Sequence, residues 1–329
     1  MKNLVQDIKT NDFKNIYLLY GEEEYLKKQY RQKLQDALIS PDDTVNLNFY
    51  EGKNISVQEL IDQAETMPFF ADRRLLVIED SGFFKSASVE LAEYLEQVPE
   101  TTYFLFVESE VDKRQKMYKA VQKKGRIVEF AAQKEDTLIR WILGILKKEN
   151  KNITRSSMEL LLEKTGTDMN NIAMELEKLL SYTMDRDVIT AEDIESICTT
   201  QTVNKIFDMI NAVADGNRKK ALDLYYDLLA LKEPPMRILF LLTRQFNLLM
   251  QTKELQSTGY DAKTIAAKLA IQPFVARNCT RQALAFSLEK LKMLVKSCVD
   301  AEEAVKTGNL NEKLAVELIL TQGSEKKHR

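Results

Sequence analysis

The residues best placed to bind a nucleotide follow the first apolar run of the chain, where Gly21 precedes Glu22, Glu23 and Glu24. A phosphate-binding loop between a strand and a helix needs several glycines, whose N–H groups surround the phosphates. It then needs a lysine and a Ser or Thr that reaches magnesium. Here a single glycine precedes three carboxylates that would repel phosphate, and the next lysine is Lys27. The pattern predicts a degenerate loop that does not bind nucleotide.

Carboxylates also follow the apolar run 75–78, at Glu79 and Asp80, as in the magnesium-holding strand of an ATPase. Without a working phosphate loop they have no magnesium to hold, so we interpret them as acids that end a buried strand at a solvated turn. The single histidine of the chain, His328, lies in a polar tail, so no serine or cysteine has a histidine to activate it. No catalytic residue is predicted.

Composition narrows the classes of protein further. Three cysteines, Cys198, Cys279 and Cys298, are widely spaced and odd in number, which predicts neither a metal site nor a disulfide framework. The net charge of -3 and the pI near 5.6 argue against a global positive field that recruits nucleic acid. With no signal peptide and no apolar run of roughly 18 residues, we expect a cytoplasmic protein without a membrane span, metal or cofactor.

A second unusual stretch is Met67-Pro68-Phe69-Phe70, between a helix candidate at 55–66 and the apolar run at 75–78. Two adjacent phenylalanines cannot both face inward from a regular helix or strand. Pro68 also disfavours a helical conformation at Met67. Two interpretations stay open: a corner where one ring plugs the core, or an exposed tip whose rings fill a pocket on another protein.

Two basic residues form a pattern that is relevant to DNA binding. Arg277 and Arg281 are four residues apart and therefore share a helix face. A row of this kind could contact phosphates. A solvated face interleaved with glutamates is the favoured interpretation, and DNA contact is the alternative.

The elements that position these residues change in type along the chain. Strands predicted at 16–20, 45–50, 75–78, 103–107 and 127–130 alternate with helices, which indicates a parallel sheet covered on both faces, with right-handed crossovers. After about Gln133 the strands are expected to stop, and a polar stretch at 198–202 divides the helices that follow. The predicted architecture is an α/β domain over 1–134, a small helical domain over 135–200 and an all-α domain over 201–329.

This combination resembles the delta-subunit family of the bacterial DNA polymerase III clamp loader, AAA+-like proteins without ATPase activity. The resemblance covers nearly the whole chain. It rests on three segments in this order and spacing: IYLLYGEEEYL at 16–26, AETMPFFADRRL at 64–75 and GTDMNNIAMELEKL at 166–179.

The resemblance implies a site and a set of partners. Met67, Pro68, Phe69 and Phe70 would form the clamp-binding element, with Phe69-Phe70 where a Leu-Phe pair is common in the family. The chain would open the beta sliding clamp, gated by ATP bound to partner subunits. Residues 201–329 would join a collar with delta prime and the tau/gamma subunits, and primed DNA would be held by the assembled complex.

Other interpretations are kept beside this one. The chain could be a generic AAA+-fold interaction or scaffold protein in which the two rings are core residues. It could be an ATP-dependent AAA+ enzyme with an atypical nucleotide site, which the lone Gly21 opposes. Delta prime is a sister interpretation, but that subunit usually has a better-preserved loop, a zinc-binding cysteine cluster and an arginine motif, none of which we find.

Overall fold

A computed structural model of the chain describes residues 1–86, 88–199 and 202–325. It divides into two compact units, Met1–Gln133 and Lys134–Arg329, each described here by itself. Residues 200 and 201 of the polar stretch at 198–202, and the single histidine at 328, lie outside the described residues. The division into three domains therefore stays a prediction.

The first unit alternates helices and strands from its second residue onward. Its elements are α1 (Lys2–Thr10), β1 (Ile16–Tyr20), α2 (Glu24–Leu38), β2 (Leu47–Glu51), α3 (Val57–Glu65), β3 (Arg74–Glu79), α4 (Val89–Tyr94), β4 (Thr102–Glu108), α5 (Lys116–Lys124) and β5 (Arg126–Glu129). The five strands fall where the apolar runs predicted them. Helix α1 was not predicted, because its few apolar residues lie among charged ones.

All five strands form one parallel sheet in the order β2-β3-β4-β1-β5. Neighbours in the chain are thus not always neighbours in the sheet, as expected when helices cross from one strand to the next. In the register of the sheet Tyr20 lies beside Glu108 on one side and Glu129 on the other. The carboxyl end of β1 therefore lies between two strand ends that carry glutamates.

The sheet is buried on both faces, as the continuous apolar strands predicted. One face packs with α3, α4 and α5 in a core that contains Leu18, Leu76, Phe104 and Phe106. The alternate residues of the strands, such as Leu19, are equally buried, and α2 packs against β1 and β4. The expected α/β class with a parallel sheet covered on both faces is confirmed for this unit.

Strand β2 and the residues just before it differ from the prediction in which side chains are buried. The alternation of Val45, Leu47 and Phe49 with Asn46, Asn48 and Tyr50 predicts a strand with one face less buried, and the apolar face would ordinarily be the buried one. Instead Val45 and Phe49 are exposed, while Asn46 is buried. Because β2 is the edge strand of the sheet, apolar side chains there do not need to lie in the core. The polar residue is buried because of its hydrogen bonds, which are described below.

The second unit is mainly helical. Its elements are α6 (Glu135–Lys148), β6 (Asn152–Ile153), α7 (Arg155–Thr165), α8 (Met169–Tyr182), β7 (Val188–Ile189), α9 (Ala191–Ile197), α10 (Thr202–Ala214), α11 (Arg218–Ala230), α12 (Pro235–Ser257), α13 (Ala262–Leu269), α14 (Pro273–Ala283), α15 (Leu288–Lys306) and α16 (Glu312–Ser324). Strands do not stop at Gln133 as expected, since β6 and β7 form a short parallel pair. Two residues per strand are too few to give a periodic signal.

Local signals that the sequence contains set several helix ends. The carboxylate of Asp168 accepts a hydrogen bond from the Asn171 N–H at 2.9 Å, as expected of the N-cap of α8. Ser56 caps α3 by accepting a hydrogen bond from the Glu59 N–H. A short break after Ala283 separates α14 from α15.

The three cysteines are free and buried. Burial raises the pKa of the Cys198 thiol to about 12 and those of Cys279 and Cys298 to about 11. Such thiols stay protonated and unreactive at neutral pH. Within residues 1–86, 88–199 and 202–325, no cluster of His, Cys, Asp or Glu could hold a metal ion. Across the same ranges, every helix is too short or too polar to cross a membrane.

Candidate functional site: the aromatic corner and the first loop

The segment Met67–Phe70, here called the aromatic corner, connects α3 to β3 and projects its apolar side chains into solvent. Met67 is 81% exposed, Phe69 61% and Phe70 95%. The two rings contact each other edge to face, with their centroids 4.5 Å apart. Neither ring plugs the core, so the corner presents a pair of aromatic groups that no part of the described chain covers.

One buried side chain holds the backbone of this corner. Asn46, only 1% exposed, accepts a hydrogen bond from the Phe69 N–H at 2.7 Å and donates one to the Phe69 carbonyl at 3.0 Å. The amide thus pairs with the peptide groups of Phe69 as a neighbouring strand would. The carboxylate of Asp43 accepts a bond from the same Asn46 amide at 2.8 Å.

A second buried polar group holds the corner at Met67. The Arg74 guanidinium donates to the Met67 carbonyl at 3.3 Å, to Gln63 of α3 at 3.1 Å and to Asn48 of β2 at 3.2 Å. Arg73 stacks over the Phe13 ring, 5.0 Å from its centroid. Arg74 therefore ties the corner to α3 and β2.

The corner also stores backbone strain. Phe70 adopts a φ of 49°, in the left-handed region that bulky residues rarely occupy. Such a conformation costs on the order of 1–3 kcal/mol and persists only where the surroundings impose it. Since the Phe70 ring is almost fully exposed, its own packing does not offset this cost. The hydrogen bonds to the preceding residues must do so.

The first loop, residues 21–24, lies at the opposite edge of the sheet from the corner. It follows the carboxyl end of β1, whereas the corner precedes the amino end of β3. Its N–H groups are engaged within the chain: Gly21 donates to the Glu108 carbonyl at 3.3 Å and Glu23 to the Phe130 carbonyl at 3.0 Å. The Glu24 N–H donates to the Glu22 carbonyl at 3.1 Å. These donors do not converge on a common point where a phosphate could lie.

Lys27 fills the space beneath this loop. It is 2% exposed, donates from Nζ to the Glu108 carbonyl at 3.1 Å and pairs with the Glu24 carboxylate at 2.7 Å. A neighbouring cavity of about 340 Å³ has Arg31 and Glu79 in its wall, and those two side chains form an ion pair. Each of these cations already has an anionic or carbonyl partner.

The carboxylates after β3 and β4 are likewise engaged. Asp80 accepts a hydrogen bond from the Ser109 hydroxyl at 2.8 Å. Glu108 is buried and accepts from the N–H and hydroxyl of Ser81. Burial raises the pKa of Glu108 despite those hydrogen bonds. A carboxylate held in this way supports the strand ends rather than facing an open metal site.

The two arginines proposed to face DNA share α14 but lie in different surroundings. Arg277 pairs with Glu135 at 2.7 Å and borders a cavity of about 1010 Å³ within the second unit. Arg281 donates to Asn278 at 3.1 Å and borders a different cavity of about 370 Å³. The structure therefore does not bring the two guanidiniums together as one basic row.

Reasoning from the sequence did not identify several residues that shape these sites. Asn46 was treated as part of a strand, Arg74 as one of the charges before the run 75–78, and Lys27 only as a distant lysine. A buried arginine at the start of an apolar strand is visible as a charge next to the run 75–78. The pairing of Asn46 with Phe69 joins residues 23 apart, and nothing in either stretch signals it.

Comparisons with known proteins match both units. A model of "DNA polymerase III, delta subunit" matches residues 17–131, and a model of "DNA polymerase III delta subunit, C-terminal domain" matches residues 203–323. Together the two matches span well over half of the chain. They include the first loop, the aromatic corner and most of the helices after α9.

Whole-chain relatives agree with the family models. The DNA polymerase III subunit delta of Bacillus subtilis is 28% identical over 96% of this chain and 95% of its own length. A probable delta subunit of Aquifex aeolicus is 22% identical over 86% of this chain and 83% of its own. The solved structure of the Bacillus subtilis DNA clamp loader delta protein covers 98% of this chain and 99% of its own, at 26% identity and a TM-score of 0.63.

The five-stranded parallel sheet covered by helices and joined to a helical unit makes this chain a protein of the clamp-loader delta class, as the solved clamp loader delta structure also indicates. More narrowly, the chain belongs to the DNA polymerase III delta-subunit family. Its role is that of a clamp-loader delta subunit in DNA replication.

The tight approach of the first loop to Phe130 generates a prediction. A Cβ on Gly21, where φ is 123°, would lie 2.4 Å from the Phe130 carbonyl oxygen. We expect Gly21→Ala to lower the free energy of unfolding by about 3 kcal/mol or more, from clash and backbone strain together. Denaturant titration of the purified chain measures this difference.

Gly52→Ala is the matched control. Its φ of 88° is also positive, but no atom lies within 4 Å of an added Cβ. Strain alone should cost about 1–2 kcal/mol there. Equal losses for the two variants would show that the Gly21 loop does not press against β5 as described.

Proposed function

We propose that the chain docks on the beta sliding clamp through the aromatic corner and favours the opened ring. The observation that carries the proposal is the exposure of Phe69 and Phe70 on a backbone held by buried hydrogen bonds. Exposed aromatic pairs on a fixed backbone are typical of residues that fill a pocket on a partner. Met67 and Pro68 complete the docking element.

The magnitudes are sufficient for such a contact. Burying two phenylalanine rings is worth roughly 3–6 kcal/mol of transfer free energy. Association costs several kcal/mol, and the net binding free energy is more favourable when less of the docking element must be ordered on binding. A backbone already held by Asn46 and Arg74 reduces that cost.

Opening the ring requires more than docking. A ligand that binds closed and open rings equally shifts no population between them. We therefore propose that the chain makes better contacts with the opened clamp. The timing would come from ATP on partner subunits, since the first loop of this chain is closed by its own hydrogen bonds.

The partners of the second unit are proposed from the family relationship. Residues 201–329 would join a collar with delta prime and the tau/gamma subunits, and the assembled complex would hold primed DNA. Arg277 and Arg281 are proposed as DNA-facing residues within that assembly. Since Glu135 already pairs with Arg277, Arg281 would contribute the larger share of such a contact.

The first prediction of this proposal concerns the rings. We expect Phe69→Ala/Phe70→Ala to weaken binding to the cognate sliding clamp by about a hundredfold, since about 3 kcal/mol of pocket contact is lost. The melting temperature should hold because both rings are exposed. Surface plasmon resonance with immobilised clamp, beside thermal melts, measures both quantities.

A control with matched chemistry is Phe240→Ala/Leu284→Ala, which removes two exposed apolar side chains of the second unit. Its affinity for the isolated clamp should equal that of the wild type. Docking through the corner is refuted if the two double variants bind alike, or if the wild type does not bind the clamp.

Opening is tested separately from docking. We expect the wild-type chain to bind a clamp variant with a disrupted subunit interface, and hence monomeric, at least about tenfold more tightly than the closed ring. The reason is that a monomer has no closed interface to break. Titration calorimetry with the two clamps gives the ratio of the two affinities. A ratio of one would contradict the proposed ring opening but not the proposed docking.

The degenerate loop gives a further prediction. Because its N–H groups and Lys27 are engaged, 1 mM MgATP should leave the melting temperature of the chain unchanged. A site with a dissociation constant near 10 μM would instead stabilise the fold by about 2.7 kcal/mol at that concentration. A nucleotide-binding AAA+ protein is the positive control, and a clear upward shift for this chain would favour the ATP-dependent enzyme.

A further inference from the structure

We infer that Asn46 is the positioning residue of the aromatic corner and sets clamp affinity without touching the clamp. The inference rests on the proposed docking function and adds a residue to it. Asn46 is buried, lies just before β2 and contacts the corner only through the backbone of Phe69. Its effect on a partner must therefore pass through the position of the two rings.

The chemistry at this position requires an amide. The Phe69 N–H needs an acceptor and the Phe69 carbonyl needs a donor, 2.7 and 3.0 Å away. A single asparagine side chain supplies both, whereas a carboxylate supplies acceptors only and an alanine supplies neither. Both peptide groups belong to the residue directly before the strained Phe70.

The orientation of that amide is fixed in turn by Asp43. One carboxylate oxygen accepts from the Asn46 side chain at 2.8 Å, and the other accepts from the Asn46 backbone N–H at 3.0 Å. These same bonds, led by the side-chain one, lower the pKa of Asp43. The carboxylate stays charged at neutral pH and keeps the Asn46 NH₂ group turned toward itself and the Phe69 carbonyl.

This arrangement reduces the entropy that docking would cost. Without it, the backbone at Phe70 would leave the left-handed conformation, and the two rings would sample other directions. A partner pocket would then bind only the fraction of molecules that hold the rings correctly, and the apparent affinity would fall by that fraction. Asn46 therefore acts on binding through pre-organisation.

The test compares Asn46→Ala with a control of equal structural weight. Asn15→Ala removes an asparagine that directly precedes β1 and donates to the carbonyls of Pro99, Glu100 and Thr102, with no hydrogen bond to the corner. We expect both variants to lower the melting temperature. Only Asn46→Ala should weaken binding to the cognate clamp, by about tenfold for two lost hydrogen bonds.

A double-mutant cycle separates positioning from general loss of stability. Added to Phe69→Ala/Phe70→Ala, the change Asn46→Ala should cause no further loss of affinity, because there are no rings left to position. A full additional tenfold loss on that background would overturn the inference. So would equal affinities for Asn46→Ala and wild type.

The variant Asn46→Asp allows a measurement, the pH dependence of clamp affinity, that would not change if Asn46 had a purely structural role. Burial and the facing Asp43 carboxylate should raise the pKa of the introduced carboxyl, and the nearby Arg74 charge should limit that rise. When protonated, the carboxyl again offers both a donor and an acceptor. The affinity of this variant for the clamp should recover as the pH falls from 8 to 5.5, whereas the affinity of the wild type should stay constant. A variant affinity that does not change with pH would count against the inference.

The outcomes also distinguish the two proposals. If the wild type binds the clamp and the ring variant does not, docking stands whatever the Asn46 variants do. If the ring variant binds as well as wild type, docking through the corner fails, and positioning of the corner by Asn46 fails with it.

Discussion

Exposed aromatic rings cannot hold their own position, and the structure of the corner depends on this constraint. In a core, packing against neighbours fixes a side chain and its backbone. Phe69 and Phe70 contact each other and are mostly exposed, so little such packing is available to them. Their geometry is therefore set by the peptide groups behind them, which Asn46 and Arg74 hold from the buried side.

The same need to satisfy backbone groups shapes the first loop. In parallel α/β sheets, ligands usually bind beyond the carboxyl ends of the strands, where loops leave N–H groups free. Here the N–H groups of Gly21 and Glu23 are taken up by the carbonyls that end β4 and β5, and Lys27 occupies the space below. The aromatic corner lies instead near the amino ends of β2 and β3. The closed first loop and the exposed aromatic corner thus lie at opposite ends of the strands of one sheet.

The sequence was informative where the signal is local and repeated. The continuous run 16–20 and the run 75–78 located strands correctly, because a strand buried on both faces must be apolar throughout. The lone Gly21 and the adjacent phenylalanines were equally visible. Burial near the edge strand β2 was predicted wrongly, because the apolar Val45 is exposed and the polar Asn46 is buried, the reverse of the usual arrangement. Contacts such as Asn46 with Phe69 arise only when distant stretches meet, so no periodicity could reveal them.

Under the proposed function, this chain would not control its own corner with a nucleotide. The N–H groups of Gly21, Glu23 and Glu24 already have carbonyl acceptors in the loop at the carboxyl edge, and Lys27 and Arg31 already have partners there. The corner itself is held by hydrogen bonds from the Asn46 amide and the Arg74 guanidinium, and the Asp43 carboxylate that orients Asn46 stays charged at neutral pH because its pKa is lowered. Under the proposed function, neither a bound nucleotide nor a proton would switch the corner from within the chain. If docking is regulated, as we propose, the control must act by covering or uncovering the rings, and that requires another subunit.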